Sequence, residues 1–306
     1  MASEDAALSA ISIRGVTKRY GKLTAVNNLS LNVAQGEIFG FLGLNGAGKT
    51  TTIRILLDLL RPGGGTAHIF GHDCQRDGLR ARSAIGYLPG EMGIYSNLTG
   101  HEALDFLAGL QGRKIDRGVR RELQERLKMP DSDLRRKLRE YSTGMKRKLG
   151  IIQAFQSDPR LLILDEPTEG LDPLMQESFY DLLDDVKQRG RTIFMSSHVL
   201  TEVERVCGRV AVLRKGELAL LTRVGEIRQL APRRVRVSFA EDVALVPDLP
   251  PSNEMVLNEP RVWTLRVHGE MGPLLKILSP LPVRDLEIDE PRLEDAILGY
   301  YREAKP

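Results

Sequence analysis

The segment Gly43-Leu-Asn-Gly-Ala-Gly48-Lys49-Thr50 places glycines, a lysine and a hydroxyl at the spacing of a phosphate-binding loop. Glycines leave backbone N–H groups uncovered, and with the positive end of a following helix they form a cradle that side chains would obstruct. In such a cradle Lys49 reaches the outer phosphates of a nucleotide and Thr50 holds Mg²⁺. A second pair, Asp165-Glu166, follows the apolar run Leu161-Leu-Ile-Leu164. Asp165 is suited to hold Mg²⁺ through water, and Glu166 to polarise an attacking water as general base. His198 follows a third apolar run, Thr192 to Met195, and is placed to contact a terminal phosphate. Two acids after a strand can also cap the next helix, and a lone histidine can simply pack. The three sites gain weight because all follow strands, where ligands of open α/β sheets bind.

These residues require a particular frame. Ile11 to Val33 reads as strands with turns at Tyr20-Gly21-Lys22 and Asn27-Asn28, and Glu37 to Leu42 as a short apolar strand. Lys49 to Leu60 reads as an amphipathic helix stopped by Arg61-Pro62-Gly63. From about Leu98 to Gln156 helical spacing dominates, opened by Thr99-Gly-His-Glu102 in the form of a capping box. Within it, Ser142 caps a helix whose Met145, Leu149, Ile152 and Phe155 share one side. A helix from about Leu174 to Gln188 separates the Leu161 and Thr192 strands, the βαβ arrangement of a parallel sheet. Beyond Leu221 alternation returns at 234–239 and 262–267, with a terminal helix from Leu293 and Trp263 in a core position.

With 306 residues, 42% hydrophobic and 28% charged, the chain is long enough for two cores. Cys74 and Cys207 stand far apart without ligand-spaced neighbours, which points away from zinc and disulfides and towards a reducing compartment. The acidic start MASEDAALSA does not resemble a signal peptide, and no run approaches a membrane span, so a non-secreted soluble chain is expected. The stretch Arg113 to Lys148 holds 14 Lys or Arg against 6 Asp or Glu, a basic block that reads as a solvated helical face near anionic lipid.

In order, Tyr20, the Gly43 to Thr50 loop, Ser142-x-Gly144, Leu161 to Pro167, Gly170-Leu-Asp172 and His198 resemble the nucleotide-binding subunit of an ABC transporter. The likeness spans residues 11–220. It implies an α/β fold: a P-loop NTPase parallel sheet with an antiparallel β subdomain and a helical insert at about 95–160, followed by a small C-terminal α+β domain at 221–306 and preceded by a polar tail at 1–10. It further implies ATP and Mg²⁺ as ligands, with Gly43, Asn45, Gly46, Ala47, Gly48, Lys49, Thr50 and Thr51 around the phosphates. Tyr20 would stack on adenine with Val26 beside it, and Glu166, Lys49 and His198 would serve hydrolysis. Ser142, Gly144 and Met145 match the family's signature, which completes the site of a second copy, and Asp172 lies in the loop crossing between copies. One departure stands out, because Gly90 and then Glu91 occupy the place of the family's metal-contacting Gln, so Glu91 or water would have to fill that role.

The implied activity is ATP hydrolysis energising a separate membrane permease, with a homodimer of cassettes at the cytoplasmic face of the membrane. The ending, Glu290 to Tyr301, is similar to tails in the drug, antibiotic and polysaccharide exporter branch, which favours export and an accessory or regulatory role for 221–306. The other class considered is a soluble ABC ATPase acting on nucleic acid or ribosomes through the basic block. The sequence disfavours it, since the block lacks interleaved aromatics and the chain lacks paired cassettes.

Overall fold

The computed structural model describes residues 9–93, 96–110, 112, 115, 117–226, 232–243, 247–250 and 253–289. The chain divides into two compact units, Met1–Leu221 and Thr222–Pro306.

The first unit is built on a six-stranded sheet in the order β10-β9-β3-β8-β7-β6. Its strands are β3 (Ile38–Leu42), β6 (Ile85–Leu88), β7 (Leu161–Asp165), β8 (Thr192–Ser197), β9 (Arg209–Arg214) and β10 (Glu217–Arg223). The run from β6 through β9 is parallel. Every residue of β3, β7 and β8 is buried. That is why these strands read as continuous apolar runs and not as alternations, since helices cover both faces of such a sheet. Phe39 and Phe41 both pack on Phe194, at ring-centroid distances of 5.8 Å and 5.0 Å. Register puts Leu42 opposite Ser197, Asp165 opposite Ser196 and Leu88 opposite Leu164. The loops that follow Leu42, Leu88, Asp165 and Ser197 therefore leave one sheet edge.

A second, antiparallel sheet in the order β2-β1-β4-β5 comprises β1 (Ser9–Tyr20), β2 (Leu23–Ala34), β4 (Gly64–Ile69) and β5 (His72–Asp73). The turn expected at Gly21-Lys22 is present, with Tyr20 paired to Leu23. The one expected at Asn27-Asn28 is not a turn: both residues lie within β2, and Asn28 takes φ 47° at a register shift against β1. An asparagine tolerates that conformation, so the same residue type that signals a turn here makes a bulge.

Helix α1 (Lys49–Leu56) ends four residues before the expected Leu60. Asp58, at φ 56°, turns the chain out of the helix and accepts a hydrogen bond from Arg82 Nη1 at 2.8 Å, a partner that local spacing does not show. A short helix α2 (Gly78–Ser83) precedes β6. The insert contains α3 (Gly100–Leu110), α4 (Arg117–Arg126), α5 (Asp131–Leu134) and α6 (Thr143–Phe155). Its capping box forms as expected: Glu102 Oε2 accepts from the Thr99 N–H at 2.7 Å and the Glu102 N–H donates to Thr99 Oγ1 at 3.3 Å. Helices α7 (Pro173–Gln188) and α8 (Leu200–Val206) complete the unit. No helix of the described residues is long and apolar enough to cross a membrane.

The second unit holds an antiparallel sheet in the order β12-β13-β11-β14, formed by β11 (Arg233–Phe239), β12 (Asn253–Glu259), β13 (Val262–Val267) and β14 (Val283–Asp289), with helix α9 (Gly272–Leu278). Trp263 is fully buried among Val235, Val237, Phe239 and Leu274, the core position expected for it. The terminal helix expected from Leu293 lies outside the described residues.

Candidate functional site

Past β3 the chain folds into a loop that only glycine permits at its tightest point. Gly48 has φ 107°, and a Cβ there would sit 2.5 Å from the Ala25 carbonyl oxygen. Gly46, at φ 81°, meets nothing within 4 Å, which leaves an open concavity in front of the loop. Thr52 anchors the first turn of α1, its Oγ1 donating to the Gly48 carbonyl at 3.0 Å. The N-terminus of α1 thus opens onto a cavity of about 770 Å³ lined by Asn45, Gly46, Ala47, Gly48, Lys49, Thr50 and Thr51 on one side and Gly90, Glu91, Asp165 and Glu166 on the other. Backbone N–H groups and helix dipole both favour an anion there.

Lys49 is only 6% exposed. Its Nζ donates to the Gly43 carbonyl at 2.5 Å and lies 3.2 Å from Glu166 Oε1, so the buried cation is held across the mouth of the loop. Asp165, 4% exposed, accepts from Ser196 Oγ at 2.5 Å and, through Oδ2, from Thr50 Oγ1 at 3.3 Å. Glu166 adopts φ 49°, a left-handed conformation that turns its side chain away from the strand line and into the cavity. Its N–H is held by Ser196 O at 3.3 Å and Ser196 Oγ at 3.1 Å. Its Oε2 meets His198 Nδ1 at 2.8 Å and the His198 N–H at 3.3 Å. Lys49, Thr50, Asp165, Glu166 and His198, remote in sequence, therefore form one connected polar chain.

Tyr20 lines the same cavity, 46% exposed, beside Leu23, Thr24 and Ala25. Lys18 Nζ lies 5.4 Å from the Tyr20 ring centroid. Val26 is placed differently from the expectation: it is fully buried in the core behind the loop, and Ala25 supplies the wall at that point. Ser142, Gly144, Met145 and Asp172 do not line the cavity. Ser142 caps α6, accepting from the Met145 N–H at 3.2 Å, and Asp172 caps α7, accepting from the Met175 N–H at 3.0 Å. A Cβ on Gly144 would stand 3.0 Å from the Gly170 carbonyl oxygen, so the start of α6 and the loop leading to Asp172 lie against each other.

Three further contributors have little or no signature in the sequence. Ser196 ties Asp165 to the Glu166 backbone, and its place two residues before His198 was the only hint of this. Lys215, at φ 49° in the β9–β10 turn, lines the cavity from a hairpin that reads as ordinary connection. Arg147 lies within the basic block and is buried against the segments that carry Glu166 and Gly90.

The family model for the ABC transporter matches residues 26–169, spanning the loop, the Ser142 helix and both acids. A daunorubicin resistance ATP-binding protein of Streptomyces coeruleorubidus is 31% identical over 301 residues, 95% of each chain. The chain belongs to the ATP-binding proteins of ABC transporters. A bacitracin transport ATP-binding protein of Enterococcus faecalis is 39% identical over 72% of this chain and 71% of its own length. Among solved structures, an ATP-binding subunit of an ABC transporter superposes with a TM-score of 0.67 at 28% identity, covering 72% of this chain and 92% of that one. The cassette is accordingly an ATPase with a P-loop NTPase fold.

Mg²⁺ fits the oxygens that the cassette offers. The Thr50 hydroxyl and Asp165 carboxylate converge beside the cavity as hard donors, the type that Mg²⁺ takes a few at a time while keeping water and phosphate in its remaining positions. A Cβ at Gly90 would begin 3.7 Å from Asp165 Oδ2, so a side chain at 90 would start within reach of the same spot.

Proposed function

We propose that the cassette hydrolyses ATP at a site shared between two copies and so drives export by a separate membrane permease. The observation that carries the reading is the polar chain in which Lys49 and Glu166 meet on the wall of the loop cavity and His198 contacts Glu166 from behind that lining. Adenine stacks on Tyr20, and the loop from Gly43 to Thr51 wraps the phosphates. Lys49 leaves Glu166 Oε1 for the β and γ phosphates, freeing the carboxylate to accept the proton of a water that attacks the γ-phosphorus as the bond to ADP breaks. Thr50 and, through water, Asp165 would hold Mg²⁺, which would offset charge on the phosphate oxygens. His198 orients Glu166 through Nδ1 and faces the γ-phosphate.

Ser142, Gly144, Met145 and Asp172 stand away from the cavity of their own copy, which suits residues that close the site of another. Ser142 and the N-terminus of the 13-residue α6 offer a compact donor set for a γ-phosphate. Binding then closes two copies and hydrolysis reopens them.

For the permease, the cassette offers a mainly apolar groove of about 350 Å³ lined by Leu57, Leu59, Leu79, Ile85, Tyr87 and Leu110 together with Arg82 and Ser83. Leu59, Leu79 and Leu110 are exposed there. Exposed leucines gathered in one groove mark an interaction surface. Docking on a permease places the cassette peripherally at the cytoplasmic face of the membrane. Export is favoured by the likeness to the daunorubicin resistance protein over 95% of both chains, and the second unit, carried along in that match, is assigned an accessory, regulatory role. The nucleic-acid reading is weakened where cations of the basic block are already taken up in ion pairs: Arg120 with Asp105, Arg126 with Glu122 and Asp185, Arg135 with Asp131.

Sedimentation of Glu166→Gln with and without Mg-ATP tests the shared site. A shift from one copy to two on adding nucleotide is expected, and is absent when Ser142→Arg is added. A single-copy species throughout contradicts the reading.

A further inference from the structure

Arg147 sits between exposed Lys146 and half-buried Lys148 on α6, yet is itself only 4% exposed. Among the described residues no carboxylate takes its charge at hydrogen-bond distance; Glu169 Oε2 is 3.9 Å away. Instead the guanidinium spends its donors on three backbone carbonyls: Nη1 to Pro89 at 2.7 Å, Nη2 to Glu166 at 2.9 Å and Nε to Glu169 at 3.1 Å. Burial pulls its pKa below the usual guanidinium value, against the opposing pull of Glu169, Asp165 and Glu166. A cation buried for packing alone would ordinarily be paired with an acid.

The three carbonyls belong to the three segments that carry the candidate chemistry. Pro89 precedes Gly90 at the metal edge of the cavity. Glu166 is the candidate base, and its left-handed backbone is fixed on the N–H side by Ser196 and on the carbonyl side by Arg147. Glu169 precedes Gly170, which lies against Gly144 at the start of α6 and leads to Asp172. Only a planar fork of donors reaches three such acceptors at once; a lysine ammonium presents a point charge on one stem.

We propose that Arg147 is a positioning residue that ties the Glu166 backbone to α6, so that displacement of the helix presenting Ser142 is transmitted to the general base. This rests on the reading of Glu166 as base. The link makes hydrolysis sensitive to whether the signature helix is seated, which is the state that a second copy and a bound permease both control. Its effect is on turnover and not on nucleotide affinity, because none of its contacts is with the loop from Gly43 to Thr51.

The test uses the full chain carrying Arg147→Lys or Arg147→Gln, each alone and combined with Glu166→Gln, reading kcat, KM and the ATP dissociation constant. Thermal unfolding shows that each variant is folded, and the charge-retaining lysine serves should the glutamine fail. The expected result for Arg147→Lys is a fall in kcat of about tenfold or more with KM and affinity held within about twofold. In the Glu166→Gln background the same change alters the residual rate less than about twofold, because the group it positions is already lost. Unchanged kcat in both variants, or an equal fold-loss in both backgrounds, overturns the proposal. Wild-type turnover in Glu166→Gln alone would instead sink the general-base reading, whatever Arg147 does.

Discussion

Replacing Glu166 by glutamine isolates one function of the site. The amide is isosteric and keeps one oxygen able to accept from Lys49, which stands 3.2 Å from Oε1, while the carboxylate charge and its basicity disappear. The left-handed backbone at 166 is set by Ser196 and Arg147 and not by the side chain, so the local fold survives. Nucleotide binding rests on the loop and the Tyr20 wall, and the one tie from residue 166 to the loop, at Lys49, is kept by the amide oxygen. A general base contributes about 10²- to 10⁴-fold, so kcat falls on the order of 10²-fold or more, roughly 2.7 kcal/mol or more in barrier height. ATP affinity stays within about threefold. Phosphate release at saturating Mg-ATP, beside equilibrium titration with ATP, reads both quantities. Near-normal turnover with intact binding would remove Glu166 from the mechanism, and lost binding would show that it holds the loop instead.

Lys49→Ala removes the cation that bridges Gly43 and Glu166, and titration calorimetry is expected to detect no ATP binding. Gly90→Gln adds a side chain starting 3.7 Å from Asp165 Oδ2, and the steady-state ATPase rate should rise; an unchanged rate would mean that Glu91 or water already fills that position. Burial pushes the Cys74 thiol and the Tyr87, Tyr141 and Tyr180 phenols up to about 12. A raised folded-state pKa means stability fully present below the unfolded value and lost as pH rises towards the folded one. The urea midpoint should therefore decline from about pH 9 upward, less steeply in Cys74→Ala, and a midpoint flat to pH 11 would contradict this.

Much of the site was legible because its signals are local. The loop spacing, the acids after Leu164 and the histidine after the Thr192 strand each depend on a few adjacent residues, and strands buried on both faces announce themselves as apolar runs. What escaped depends on partners distant in sequence. Arg147 reads as one more cation in a basic stretch, since its acceptors are carbonyls 58, 19 and 22 residues away and carbonyls carry no sequence signature. The early end of α1 turns on Asp58 and its bond to Arg82. The family likeness puts Val26 beside the adenine, but Val26 packs into the core and Ala25 faces the cavity, a choice made by tertiary packing that residue type does not show.

The claim that this ATPase works for a separate membrane protein is tested most directly by tagging the chain in its own cell, solubilising the membranes in mild detergent and identifying what co-purifies in near-equal amount. The account predicts a multi-helix membrane protein, lost when Leu79→Glu places a charge in the exposed leucine groove. Recovery only from the soluble fraction, with nucleic acid or ribosomes attached, would contradict it.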